Sequence, residues 1–204
     1  MSSNVKKNFA DFGQKCLILA ILSIIVFILG IIASYDPRVN LVYFPIILVY
    51  VIFLILAIGD INNADKTLNN DRLQQFRSKI IVAVILSLIG LILFVVGINA
   101  LLRTIEKAIE SGEGGSAENI RLYVAFGIMI LVGLILLIVG LVFEILAWGR
   151  LKTFFKENES MFSGTAGKNA QIGCLLMQLG AIPFIGPILR VVGFFLLYSL
   201  KKNE

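Results

Sequence analysis

Residues 122–148 form an apolar run of 27 residues that carries one charged side chain, Glu144. A helix needs about 20 mostly apolar residues, at roughly 1.5 Å each, to cross the hydrocarbon of a bilayer. This run therefore predicts a transmembrane helix with length to spare, which a tilt accommodates. The rest of the sequence is arranged around runs of the same kind.

Of the 204 residues, 58% are apolar, and the mean hydropathy of +0.94 lies far outside the range of soluble domains. An all-α, integral membrane helical bundle occupying 1–204 as a single multi-pass domain is expected. Neither Cys16 nor Cys174 belongs to a ligand-spaced set, so both read as reduced packing residues. Histidine is absent, which removes the usual general base and the usual zinc ligand. No catalytic, metal or cofactor motif is present, and the chain reads as non-enzymatic. The net charge of +5 is scattered through short loops without aromatic interleaving. That pattern fits anionic lipid head groups, and no nucleic-acid partner is expected.

The first apolar run, 16–34, follows Lys6, Lys7 and Lys15 and superficially resembles a secretory signal. It is longer than a signal core and no small-x-small cleavage site follows it, so it reads as a retained first span. Tyr35-Asp36-Pro37-Arg38-Val39-Asn40 is then a tight polar turn in which Pro37 cannot continue a helix. A second span at 41–59 returns at once. In the polar segment 60–79, Leu68, Leu73 and Phe76 are too sparse for a buried face, which predicts a solvated or surface-lying helix. A third span covers 80–102, the glycine-rich stretch at 110–116 reads as a linker, and 122–148 is the fourth. In the polar segment 149–171, Leu151, Phe154 and Phe155 stand at helical spacing among Lys152 and Lys156. An amphipathic helix on the membrane surface and an ordinary loop both fit.

Two regularities concern packing. Aligning 12–29 with 76–93 gives eight identities in eighteen positions, and the ends of the second and fourth spans, Ile55-Leu56-Ala57-Ile58-Gly59 and Ile145-Leu146-Ala147-Trp148-Gly149, also match. The core would then be two tandem helical hairpins, an internal repeat of the kind that transporters and duplicated structural hairpins share. Gly90 and Gly97, and again Gly133 and Gly140, stand seven apart. Each pair lays a small-residue stripe on one helix face, which predicts a tight hairpin of the third and fourth spans.

The last apolar segment, 172–200, is interrupted by Pro183 and Pro187 and contains Gln178 and Arg190. Two readings compete: one fifth span kinked at the prolines, or two half-length helices forming a re-entrant hairpin. The positive-inside rule bears on the choice. Eleven Lys and Arg fall in the N-terminal segment, 60–79 and 149–171, against four in the alternate turns, which predicts a cytoplasmic N-terminus in the cell membrane. Lys201 and Lys202 obey this bias when the last segment is re-entrant and violate it when it spans. An ionisable group within a span is by default a functional candidate, so Glu144, Gln178, Pro183, Pro187 and Arg190 form the candidate intramembrane polar and hinge set. In the re-entrant arrangement Glu144 and Arg190 fall at similar depth and an ion pair becomes feasible.

The run Ile182-Pro183-Phe184-Ile185-Gly186-Pro187-Ile188-Leu189, with Gly193, Lys201 and Lys202 after it and Ala147-Trp148 before it, resembles uncharacterised archaeal-type multi-pass membrane proteins. That resemblance implies a membrane bundle and carries over no activity. Besides the lipid bilayer, the expected partner is a second copy or another membrane subunit, engaged through the glycine faces. The alternative is a small transporter or channel component with its polar site at the broken last segment.

Overall fold

The computed structural model describes residues 3–33, 35–111, 116–182 and 185–203. It is an all-α bundle, with no strand among the described residues. Its helices are α1 (Ser3–Ala33), α2 (Asn40–Leu68), α3 (Asp71–Ser111), α4 (Ala117–Glu157), α5 (Ala166–Leu179) and α6 (Gly186–Tyr198), with 3₁₀ turns at Pro37–Val39, Glu159–Met161 and Ser199–Asn203. The first four are long and apolar enough to cross a membrane.

Turn chemistry explains where the helices break. After α1, the N–H groups of Tyr35 and Asp36 both donate to Ile32 O, and the Asp36 carboxylate accepts from Arg38 N before α2 begins. Asn69 ends α2 in the left-handed region, with φ of 46° and its N–H on Asp65 O. Asparagine is among the few side chains that tolerate this conformation. The buried Asp65 carboxylate accepts from Asn70 N, and the Asn70 side chain accepts from Arg72 N to cap α3. The expected linker at 110–116 falls largely outside the described residues.

Both polar segments depart from expectation for one reason: the helices do not stop where the apolar runs stop. Segment 60–79 holds the end of α2 and the start of α3, and Ile61, Ala64, Leu73 and Phe76 within it are fully buried. It is not a solvated helix, because the burying partners come from distant parts of the chain. Likewise 150–157 continues α4 and turns Leu151, Phe154 and Phe155 inward, away from any surface-lying position.

The segment 172–200 is not one kinked helix. α5 and α6 fold back on each other: Ser199 Oγ donates to Ala166 O at one end, a Cβ on Gly173 would meet Gly193 O at 2.8 Å midway, and one on Gly180 would meet Arg190 Cγ at the other. These pairs fix an antiparallel hairpin with both its ends together.

The chain divides into two compact units, Met1–Lys79 with Ile145–Glu204, and Ile80–Glu144. In the second unit the apolar stretches of α3 and α4 run antiparallel at close range. A Cβ on Gly90 would lie 2.8 Å from Gly133 O, one on Gly133 2.7 Å from Phe94 N, one on Gly140 2.6 Å from Ser87 Oγ, and one on Gly97 2.8 Å from Ile130 Cγ1. All four stripe glycines therefore face the neighbouring helix, as their spacing predicts. Where lipid removes any hydrophobic drive between helices, such close backbone approach is what holds them.

Gly133→Ala is expected to destabilise the chain by about 1–3 kcal/mol, because the new methyl meets main chain that cannot yield. Gly127→Ala, with nothing within 4 Å of its Cβ position, is expected to be neutral or slightly stabilising. Denaturant titration of the two variants in mild detergent, followed by helical circular dichroism, separates these outcomes.

Candidate functional site

The buried interior of the first unit is confined to one end of its helices. On α1 the buried side chains Val5, Phe9, Phe12, Cys16 and Leu19 recur at three- and four-residue spacing, and nothing described from 21 to 56 is buried. α2, the end of α4 and the α5–α6 hairpin pack on that stripe, and the start of α3 joins the core through Phe76. Phe9 stacks on Phe154 with centroids 5.5 Å apart and meets Phe155 and Phe162 edge-on. Trp148 joins Phe76, at 5.4 Å, to Phe194, at 6.3 Å. Each such pair adds about 0.5–1.5 kcal/mol beyond the area it buries.

Polar ties surround this aromatic core. Lys15 Nζ on α1 and Asp60 Oδ2 on α2 form a part-buried ion pair at 2.5 Å. Arg72 at the start of α3 pairs with Glu157 at the end of α4 at 3.1 Å, and both side chains are exposed enough for water to screen most of that attraction. Gln171 Nε2 donates to Glu159 Oε2 at 2.9 Å and to Phe155 O at 3.4 Å, pinning α5 to the connection that precedes it.

The expected polar and hinge residues distribute unevenly over this frame. Gln178 on α5 donates its amide to Ile145 O of α4 at 3.1 Å and lies against Gly149, whose Cβ position is 2.8 Å from Gln178 Nε2. Arg190 on the opposite arm lays its aliphatic stem over Gly180. Both residues lie near the bend of the hairpin, Gln178 turned to α4 and Arg190 to Gly180. Pro187 occupies the first turn of α6, where its missing N–H removes no helical hydrogen bond. Pro183 lies outside the described residues. Gly180 and Gly186 make the bend possible, since a Cβ on Gly186 would run into Gly180 O. Glu144 is the last residue of the other unit and is half-buried on α4.

Sequence reasoning missed the Lys15–Asp60 pair and the aromatic core. A signal existed in the phenylalanines at 9, 12, 154 and 155, which sit on helical stripes that extend into polar sequence. Among the described residues, no three His, Cys, Asp or Glu side chains are grouped to hold a metal ion. What these contacts offer chemically is anchoring: Lys15 meets Asp60, Arg72 meets Glu157, and the amides of Gln171 and Gln178 reach backbone carbonyls of α4.

Trp148→Ala is expected to cost about 3–5 kcal/mol, the usual penalty for emptying a large aromatic site in a packed core. Asp60→Asn should cost less, about 1–3 kcal/mol, by leaving the Lys15 ammonium part-buried without its carboxylate. Unfolding curves in detergent give both values. Cys16 and Cys174 are free and fully buried, so thiol alkylation of the folded chain should leave both unmodified until denaturant is added.

No known protein family matches the sequence, and neither a curated protein nor a solved structure matches the chain.

Proposed function

We propose that the chain is a non-enzymatic integral membrane protein with a structural or partner-binding role, its N-terminus on the cytoplasmic side of the cell membrane. The observation that carries this reading is how the buried interior is used. Aromatic rings fill it, and Gln178 and Asp60 satisfy backbone or an opposite charge instead of converging on an open space. The basic residues of the N-terminal segment, 60–79 and 149–171 all belong to the unit that carries this core, which supports the cytoplasmic assignment.

The stripe glycines of α3 and α4 are occupied by each other, so they are not the surface for a partner. Assembly with a second copy or another subunit falls instead to outward apolar faces, where Gly127 leaves an open notch. The tandem-hairpin repeat fits such a scaffold, as does the resemblance to archaeal-type multi-pass proteins. The alternative, a small transporter or channel component, is favoured by one feature: Gln178 and Arg190 place polar atoms beside the bend of an otherwise apolar hairpin.

Flux and assembly measurements on one sample decide between them. Liposomes containing the chain are expected to be no more permeable to potassium, chloride or small neutral solutes than empty ones, and Arg190→Ala to alter unfolding without altering flux. Gly127→Leu is expected to shift the mass measured in detergent toward the monomer while leaving the unfolding curve in place. A flux present in the parent and lost in Arg190→Ala, with mass unchanged, sinks the structural reading.

A further inference from the structure

We infer that the α5–α6 hairpin is a re-entrant element whose outer face is solvated by the acyl chains of a single leaflet, the one on the side of the N-terminus. The inference rests on the membrane reading proposed above. Its first support is register against α4. Gln171 contacts Phe155 O at the outer end of α4, and Gln178 contacts Ile145 O, so the arms rise toward the apolar stretch of that helix. Its second support is register against α1. A Cβ on Gly13 would meet Leu197 O and Lys201 N, which sets the base of the hairpin just outside the apolar run that opens at Cys16.

Depth follows from helical rise. Measured along α4, Gln178 lies three residues inside the run that ends at Trp148, and Ile182 lies four residues further, about 10 Å inside in all. Measured along α1, Ile188 stands nine residues above Leu197, which places it about 9 Å beyond the level of Cys16. The two measures agree, and both fall short of the midplane, about 15 Å from either edge of the hydrocarbon. The hairpin dips into one leaflet and returns.

The surface chemistry matches that depth. Every exposed described position from 172 to 195 is apolar, including Leu175, Leu179, Ile182, Ile185, Ile188 and Val192. The exposed cations Lys168 and Lys202 stand only at the base, at the level of anionic head groups. The buried opposite face, with Cys174, Met177, Phe194 and Leu197, is already committed to the core. An apolar face of this kind left in water would be an aggregation site; acyl chains cover it without a second protein.

The test uses the full chain in liposomes, with single cysteines read by a membrane-impermeant maleimide added outside or on both sides, and the parent chain as blank because its thiols are buried. Ser3→Cys, Lys168→Cys and Lys202→Cys are expected to label from one common side. Ile185→Cys and Ile188→Cys should lose labelling from both sides, and regain it in denaturant. Labelling of Ile185→Cys in the intact vesicle overturns the inference, as does labelling of Lys202→Cys from the side opposite Ser3→Cys. Disulfide-linked dimers of Ile188→Cys at high lipid-to-protein ratio also overturn it, by assigning the face to a second copy. Ile135→Cys, half-exposed in the middle of the longest apolar run, is the control for the membrane itself. Were it also to label, the membrane reading would fail; protected Ile135→Cys beside reactive Ile185→Cys removes the hairpin assignment alone.

Discussion

The structure depends on a mismatch of length. α3 and α4 are 41 residues each, about 60 Å of helix, whereas the hydrocarbon of a bilayer is about 30 Å thick. The stretches of each helix beyond its apolar run must therefore meet a different solvent from the run itself. Where water is the alternative, burying Phe, Trp and Leu is strongly favourable, at about 1.5–3 kcal/mol per side chain. Where lipid is the alternative, that gain disappears and close packing has to act in its place.

The apolar run of each long helix and its extension into the first unit are built for those two regimes. Glycines at 90, 97, 133 and 140 bring main chain against main chain within the second unit. The extensions around Phe76, Trp148, Leu151, Phe154 and Phe155 contribute instead to a water-excluding core with stacked rings. Lys15 and Asp60 sit at the changeover on α1 and α2, where a part-buried ion pair can retain contact with head groups and water. A charge pair placed deeper would face a desolvation cost that its attraction does not reliably offset.

Sequence made the apolar half legible and concealed the other. Residues 16–33 of the first run and the runs at 41–59, 80–102 and 122–148 lie within four helices, and the heptad-spaced glycines meet across α3 and α4. These features are local, since twenty apolar residues or a seven-residue spacing can be read without knowing what stands opposite. Leu73 and Phe76 were illegible for the opposite reason. Two apolar residues among Asp71, Arg72, Gln74, Gln75 and Arg77 make a solvated pattern in isolation, and become a buried face only in the folded chain, where Phe76 meets Trp148 from the distant end of α4. The aromatic stripe of α1 was obscured similarly, because Phe9 and Phe12 precede the apolar run that drew attention. The hairpin was half legible. Pro183 and Pro187 marked a break in the sequence, but a break alone does not say whether the chain continues or turns back.

What turns it back is visible in small residues. A helix kinked at a proline keeps its direction, and a bend of about 180° needs backbone to pass close to backbone. Gly180 and Gly186 allow the two arms to touch at the bend, and Gly173 and Gly193 allow them to stay in contact below it, with a Cβ at either position about 3 Å from the carbonyl of the other. Larger side chains at those four positions would splay the arms and separate Gln178 from Ile145 O. The reversal of the chain is thus set less by the prolines than by the glycines, for the same reason that α3 and α4 pack: contact between main chains is the interaction that survives in either solvent.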